Sequence, residues 1–384
     1  MIFYFFELTT TFTVTSVNLR KSPFIFPKKS IIMTLGNTYN LNIIMSESKK
    51  KLTQKDVAEL AGVSQAIVSH VVNETDKAIP EATRQRVLKA MDELNYIPNK
   101  AARSLRGQKS YAIACIVPDI TNAFFPAFLR GIQSVADSHD YDLIIYDSNT
   151  SDTKELHYAR ALGCGHVDGA VAVLFHRDQR IVADLLEKGI YLVTLEQGCP
   201  EPDSWPHDVV YVDDVSAARK AVTYLIKLGH SRIGILSGTP GTPPHRNRLM
   251  GYCQALADHD LAFDDLYVRN GDYTENGGYL EMQALLALPE RPTALFAAND
   301  LMAIGAMLAV QNEGLRVPQD IAIIGFDDIP AAKLVNPRLT TVAQFQDHVG
   351  QKAAAMLFDR LYGQVSEQPR YVEMPFEIII REST

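Results

Sequence analysis

Cysteine is scarce in this chain of 384 residues: four in all, Cys115, Cys164, Cys199 and Cys253, with no C-x-x-C pair among them. Spacing this wide excludes a disulfide-stapled scaffold and a zinc knuckle, and it fits a reducing compartment. No run of about 18 apolar residues occurs, which excludes a hydrophobic membrane-spanning helix. The ten histidines are scattered, and Cys164-Gly-His166 offers too few ligands for zinc, so neither a metal nor a cofactor is expected. G-x-S-x-G and H-E-x-x-H are both missing. Gly238-Thr-Pro-Gly-Thr-Pro-Pro244 has the glycines of a phosphate loop without the Gly-Lys-Ser/Thr ending. Its prolines also remove amides that would hold a phosphate, so it is expected to be a surface loop. With these constellations absent, the chain is not expected to be an enzyme.

What is present is an ordinary globular composition, 47% hydrophobic and 21% charged, over a length that suits two to three domains. The net charge of −8 hides an asymmetry. Met1–Met45 carries four basic and one acidic residue, Ser46–Ser110 twelve and eight, and Tyr111–Thr384 twenty-one and thirty-six. A small basic module ahead of a large acidic body points to a polyanion partner for the first part alone.

The first 45 residues differ from everything after them. Met1-Ile-Phe-Tyr-Phe-Phe6 is apolar but has no basic residue before it and is followed by Glu7, so it lacks the plan of a secretory signal. The rest of the segment shows neither helical nor strand period. Met45-Ser-Glu-Ser-Lys-Lys-Lys51 opens like a natural N-terminus, and 1–45 is expected to be a floppy extension or a start-site artefact.

From Leu52 the pattern sharpens. Thr53 can cap a helix with Asp56 in the capping-box position, and Val57, Leu60 and Ala61 are expected on its buried face. Gly62 suits a left-handed stop, and Ser64 can cap a second helix whose buried stripe is Ile67, Val68, Val71 and Val72. Gln65, Ala66, Ser69, His70 and Asn73 are left outside. A third helix over about Glu81–Leu94 is expected to turn Val87, Leu88, Met91 and Leu94 inward, with Pro80 at its start. Helix, glycine turn, helix within about 20 residues is the helix-turn-helix plan, whose second helix enters the DNA major groove.

Asp56-Val-Ala-Glu-Leu-Ala-Gly-Val-Ser64, Val68-Ser-His-Val-Val-Asn73 and Leu94-Asn-Tyr-Ile-Pro-Asn99 resemble the LacI/GalR family of bacterial transcriptional regulators. So do Ala102-Arg-Ser-Leu105, Val117-Pro-Asp-Ile-Thr-Asn122, Ala298-Asn-Asp300 and Gly325-Phe-Asp-Asp328, in the family's order, from Leu52 to about Glu382. The resemblance implies DNA contacts from Thr53, Ser64, Gln65, Ala66, Ser69, His70 and Asn73. Chemically, Gln65 suits an adenine edge, Ala66 a thymine methyl and His70 a guanine. It also implies a hinge helix near Asn99-Lys-Ala-Ala-Arg-Ser-Leu105. Asn99 would cap that helix, Ala102 and Arg103 would sit at the DNA, and Leu105 would wedge a minor-groove step.

Beyond Ser110, short apolar runs alternate with amphipathic segments, the pattern of parallel sheets covered on both faces. Strands are expected at Tyr111–Val117, Asp142–Tyr146, Gly169–Leu174, Tyr191–Leu195, Arg232–Leu236, Ala294–Ala297 and Ile321–Gly325. Helices are expected at Phe125–Ser138, Val215–Leu228, Arg248–His259, Gly278–Leu288 and Leu301–Glu313. The resemblance implies two periplasmic-binding-protein-like lobes with crossovers near Tyr211–Asp213, Thr341–Ala343 and Tyr371–Glu373. Ligands of such sheets lie beyond the carboxyl ends of the strands. That rule nominates Asp119, Asn122, Phe124, Phe125, Glu196, Asn299 and Asp327, and the resemblance adds Arg248 and Tyr273. Asp300 and Asp328 suit either ligand contact or a helix cap. Arginine and aspartate beside aromatic surface suit a polyol, with a purine or other small metabolite as the alternative.

The expected fold class is therefore an all-α helix-turn-helix domain plus an α/β two-lobed body with two parallel Rossmann-like sheets. The expected domains are 46–97 for DNA, 98–109 for the hinge and 110–384 for effector and dimer. Within the last, the N-lobe covers about 110–212 and 343–372, the C-lobe 213–342 and 373–384. The expected function is a cytoplasmic, homodimeric transcriptional regulator, a repressor, binding palindromic operator DNA under control of a small ligand, a sugar. A chain ending at Arg381-Glu-Ser-Thr384 without a heptad helix is not expected to form the tetramer of some relatives. The rival is a two-lobed ligand-capturing protein without a regulatory role, which would carry an export signal and no DNA module.

Overall fold

The structure, a computed structural model, describes residues 31–35, 41–45, 52–72, 77–96, 109–175, 179–196, 198, 206–366 and 368–384. The chain divides into two compact units, Met1–Asn99 and Lys100–Thr384.

In the first unit, β1 (Ile31–Leu35) pairs antiparallel with β2 (Leu41–Met45), Ile31 opposite Met45 and Leu35 opposite Leu41. This corrects the expectation that the segment has no strand character. Its apolar residues come in unbroken runs, Ile31-Ile-Met33 and Ile43-Ile-Met45, so a search for alternation passes over them.

Three helices follow: α1 (Gln54–Ala61), α2 (Gln65–Val72) and α3 (Glu81–Glu93). The Asp56 carboxylate accepts the Thr53 N–H at 2.8 Å, closing the start of α1, and Gly62 stops it at φ 63°. Val57, Ala58, Ala61, Val68, Val71, Val87 and Ala90 form the core of the bundle. Leu60 and Leu88 do not join it; they are 49% and 44% exposed. At 100° per residue, Leu60 lies about 105° from the centre of the Val57–Ala58–Ala61 face, and Leu88 lies about 100° from Val87. Ala58, Ala61 and Ala90 are buried instead, on the faces that Val57 and Val87 define.

The second unit holds two six-stranded sheets. The N-lobe sheet combines β3 (Ala112–Val117), β4 (Asp142–Asp147), β5 (Gly169–Ala172), β6 (Tyr191–Glu196), β7 (Asp208–Tyr211) and, later in the chain, β13 (Tyr371–Glu373), in the order β13-β7-β6-β5-β3-β4. The C-lobe sheet combines β8 (Ile233–Ser237), β9 (Val268–Asn270), β10 (Ala294–Ala297), β11 (Ala322–Asp327), β12 (Thr340–Ala343) and β14 (Glu377–Ile379), in the order β14-β12-β11-β10-β8-β9. All pairings are parallel except β12 with β14. Apolar strands such as Ala112–Val117, buried at every position, need cover on both faces.

In the N-lobe the helices are α4 (Phe124–Ser138), α5 (Asp152–Leu162), α6 (Gln179–Glu187) and, returning from the C-lobe, α11 (Gln346–Leu361). Residues of α4 and α11 share one core, and residues of α5 and the following strands share the other. In the C-lobe α7 (Asp214–Lys227) and α8 (Pro243–Asp258) cover one face, α9 (Glu275–Leu286) and α10 (Asp300–Asn312) the other. The chain crosses between lobes after β7, at 344–345 and at 374–376. The last two crossings come just after the expected positions, since β12 and β13 must finish pairing before the chain can leave the sheet.

The expected surface loop around Gly238–Pro244 is corrected in part. Pro243 and Pro244 form the first turn of α8 with Thr242 as N-cap, all three buried, so the helix starts five residues before Arg248. Proline lacks only an amide that a first turn leaves unbonded anyway.

Candidate functional site

The DNA-reading candidates follow from how α2 lies on its core. With Val68 and Val71 turned inward, Gln65 and Ala66 are exposed and Ser69 and His70 half-buried at the edge of the free face. The Ser64 hydroxyl accepts the Ile67 N–H at 3.4 Å, and Thr53 stands at the N-cap of α1. The start of α2 thus presents an amide and a methyl group to its surroundings, the chemistry of base-edge contact. Asn73, Asn99, Ala102, Arg103 and Leu105 lie outside the described residues.

The second site is a cavity of about 240 Å³ between the carboxyl ends of the two sheets. All nine ligand candidates, Asp119, Asn122, Phe124, Phe125, Glu196, Arg248, Tyr273, Asn299 and Asp327, line it. All but Arg248, which α8 carries in its second turn, come from a strand end or the segment just after it. Asp119 and Asn122 follow β3; Asp119 accepts the Thr121 N–H at 2.8 Å and Asn122 accepts the Phe124 N–H at 3.0 Å, which fixes the turn that starts α4. Phe124 and Phe125 then meet edge to face, ring centroids 5.2 Å apart, as an apolar wall. Glu196 ends β6 and is 4% exposed.

The C-lobe supplies the polar side, centred on Arg248. Its Nε donates to the Asp214 carboxylate at 2.8 Å, its Nη1 donates to the Ala298 carbonyl, and its guanidinium lies 3.8 Å over the Phe326 ring. Asp327 ends β11 with φ 117°, held by Gln344, whose amide donates to its carboxylate at 2.6 Å. Burial pushes the Asp327 carboxyl up to about 7, against the pull of Arg248. Burial likewise raises Asp214 to about 6 although Arg248 opposes it. One guanidinium thus serves two buried carboxyls that titrate near neutrality.

Asn299 caps α10 through its carbonyl, which accepts the Met302 N–H at 3.0 Å, and donates to the Tyr273 carbonyl at 2.9 Å. Tyr273 takes a left-handed φ of 67° and meets the Thr242 hydroxyl at 3.3 Å; burial pushes its phenol up to about 12. Its ring fits only because residue 238 is glycine: a Cβ there would fall 1.8 Å from Tyr273 Cζ.

Asp300 and Asp328 are engaged elsewhere, and the helix cap at this point is Asn299. Asp300 accepts from the Thr341 hydroxyl and the Ile329 amide, and Asp328 pairs with Arg381 and Lys333. Neither lines the cavity. The strand-end rule, carried to every strand, also reaches residues not nominated: Asn149 and Thr150 after β4, Phe175 after β5, Thr239 after β8, Asp272 after β9 and Gln344 after β12. Asp214, three residues past the end of β7, follows the same rule, and the packing of α7 on α8 brings it to Arg248. Among the described residues no helix is long and apolar enough to cross a membrane, and no group of three or more histidine, cysteine or acidic residues could hold a metal.

Residues 53–99 match the family described as bacterial regulatory proteins, lacI family, and residues 222–384 match a periplasmic binding protein-like domain. The chain is 37% identical to the HTH-type transcriptional repressor CytR of Escherichia coli K12 over 337 residues, covering 86% of this chain and 96% of CytR. It is 35% identical to the HTH-type transcriptional repressor PurR of Vibrio campbellii over 333 residues, covering 86% and 98% of the two. Among solved structures it is similar to the Lac repressor dimer bound to operator and the anti-inducer ONPF, at TM-score 0.77 and 28% identity, covering 87% of this chain and 99% of that one. It is also similar to the transcriptional regulator CelR–cellobiose complex, at TM-score 0.65 and 30% identity, covering 87% and 100%. A helix-turn-helix module followed by a two-lobed ligand-binding body, with relatives matched along almost their whole length, makes this chain a member of the LacI family of bacterial transcriptional regulators.

Proposed function

We propose that the chain is a cytoplasmic, homodimeric repressor, without catalytic activity, whose grip on a palindromic operator is set by an uncharged polyhydroxylated effector, a sugar, held between the lobes. Two copies would present two α2 helices to successive major grooves, as two-fold operators require. The single observation that carries the ligand class is that Arg248 and Asp327 line the same cavity as the Phe124–Phe125 pair. A donor beside an acceptor suits neighbouring hydroxyls, and an aromatic wall suits the apolar face of a ring. Charge narrows the class further. Asp119, Glu196, Asp272 and Asp327 line the cavity, and its one lining cation among the described residues, Arg248, is already shared with Asp214. A phosphorylated or carboxylated guest would meet repulsion there.

The relatives support this reading: one solved regulator holds cellobiose, and a LacI family regulator from Enterococcus faecium holds ribose. The test is operator binding by the full chain, on a duplex that it selects from a randomised pool, across a panel of neutral sugars and their phosphates. A change of operator affinity with a neutral sugar and none with its phosphate supports the proposal. A response confined to phosphorylated or acidic compounds refutes the ligand class.

A further inference from the structure

Two N-lobe helices begin at the cavity and end together on the opposite side of the lobe. α4 opens with Phe124 and Phe125 on the cavity wall. α11 opens just after Gln344, which lines the cavity and bonds the Asp327 carboxylate; Gln346, in its first turn, donates to the Asp327 carbonyl. The helices touch backbone to backbone: a Cβ on Gly131 would fall 2.1 Å from the Asp347 carbonyl oxygen, and one on Gly350 2.1 Å from that of Phe128. Contact this close leaves no side-chain layer to shear, so the pair moves as one body. The 16 residues of α11 span about 24 Å.

At the far end the helices are joined by rings. His139, just past α4, stacks on Phe358 of α11 at 4.1 Å, and Tyr141 meets Phe358 edge-on at 5.0 Å. The same cluster grips the first described residues after the linker 98–108. Lys109 Nζ donates to the Leu361 carbonyl at 3.1 Å and lies 4.6 Å over the Tyr362 ring. The Tyr111 ring is 5.4 Å from that of Tyr141. Asp168 completes the grip, its carboxylate accepting the N–H of Ser110 at 2.7 Å and of Tyr111 at 3.1 Å.

We infer that the α4–α11 pair is a strut that carries the state of the cavity to the linker. Gln344 and Gln346 are positioning residues at the cavity end, and Lys109, Tyr362 and Asp168 at the linker end. The inference rests on the reading of the chain as a ligand-controlled DNA-binding protein and names the residues that transmit the control. Its physical basis is that Asp327 belongs to a C-lobe strand whereas α11 packs on the N-lobe. Any displacement of one lobe against the other therefore pulls on the first turn of α11, and a stiff helix pair passes that pull to residues 109–111.

Amide hydrogen exchange on the full chain tests it without DNA or effector. Gln344→Ala should speed exchange of the Ser110 and Tyr111 amides about fivefold or more, the scale of ordinary site-to-site coupling. Leu285→Val, in the C-lobe core away from both helices, should leave them within about twofold. Unchanged exchange in Gln344→Ala, or equal acceleration in both variants, overturns the strut. A second measurement takes operator affinity in a cycle of Gln344→Ala, Tyr362→Leu and the double variant, on the duplex selected by the full chain. The effect of Gln344→Ala should be at least about fivefold alone and shrink to under about twofold when Tyr362 is already leucine. Additive effects overturn the inference. A chain that selects no sequence refutes the DNA-binding reading instead, and the exchange result still decides the strut.

Discussion

Replacing Arg248 with alanine tests the buried charges of the cavity most directly. Its partner Asp214 has a fully buried side chain, and Arg248 itself is 6% exposed, with 2.8 Å between them. The other Asp214 oxygen, Oδ1, finds no hydrogen bond among the described residues. Removing the guanidinium leaves this carboxylate buried beside Asp327 with nothing to balance it, and breaking such a pair costs about 3–5 kcal/mol. Part of that cost is escaped by protonation. Burial already holds Asp214 at about 6 while Arg248 pulls it down, so without Arg248 it rises further and takes a proton at neutral pH. The loss should therefore be larger at pH 8 than at pH 5.5. Adding Asp214→Asn removes the stranded charge and should recover about 1–3 kcal/mol of it. Urea unfolding of the full chain, followed by the fluorescence of its single tryptophan, Trp205, measures both. A loss under about 1 kcal/mol at pH 8, or no recovery in the double variant, would show that the pair does not carry the electrostatic weight assigned to it.

Asp327 has a folded pKa raised to about 7, so it binds a proton more tightly in the native state and its contribution to stability is lost as pH climbs from about 4 to 7. Asp327→Asn should flatten that part of the melting-temperature profile between pH 5.5 and 7.5; an unchanged slope counts against the assignment. Asp208 runs the other way. Burial alone would raise it, but hydrogen bonds from Arg360 and Arg370 hold it below the usual carboxylate range, so its contribution is lost as pH falls. Asp208→Ala removes the carboxylate shared by both arginines at the β7–α11–β13 junction, leaves Arg370 its pair with Asp359, and should cost about 1–3 kcal/mol in denaturant titration. Gly350→Ala drives a methyl group against the Phe128 carbonyl and should cost about 1–3 kcal/mol, seen as a lower melting temperature. Gln65→Ala should weaken the selected operator by about 1–3 kcal/mol and leave random-sequence binding unchanged; equal loss on both would remove Gln65 from base reading.

The residues differ in how openly they announced their places. The capping of α1 by Asp56, the stop at Gly62 and the start of α4 after Asn122 are local events, decided within four residues, and were legible. Leu60 and Leu88 were misplaced because hydrophobicity alone ranks leucine above alanine. Which of them is buried depends on how closely a second helix approaches. α5, α6 and α11 are not among the expected helices; in α5 the charged Glu155 interrupts the apolar stripe. Glu155 is nonetheless buried, its carboxylate accepting the Phe175 N–H at 3.1 Å. Of the cavity, strand-end positions such as Asp119 and Asp327 were legible by rule, whereas the pairing of Arg248 with Asp214, 34 residues away, was not.

By itself the sequence determined the alternation of elements, the face that α2 leaves exposed and the kind of residue that ends each strand. These follow from backbone periodicity and capping, which act over one or two turns. Only the tertiary structure decided which strand ends meet. Sheet orders β13-β7-β6-β5-β3-β4 and β14-β12-β11-β10-β8-β9 bring residues from 118 to 344 around one space. It also decided that one buried guanidinium must serve two carboxyls, because the charge balance of a cavity depends on what packing excludes from water.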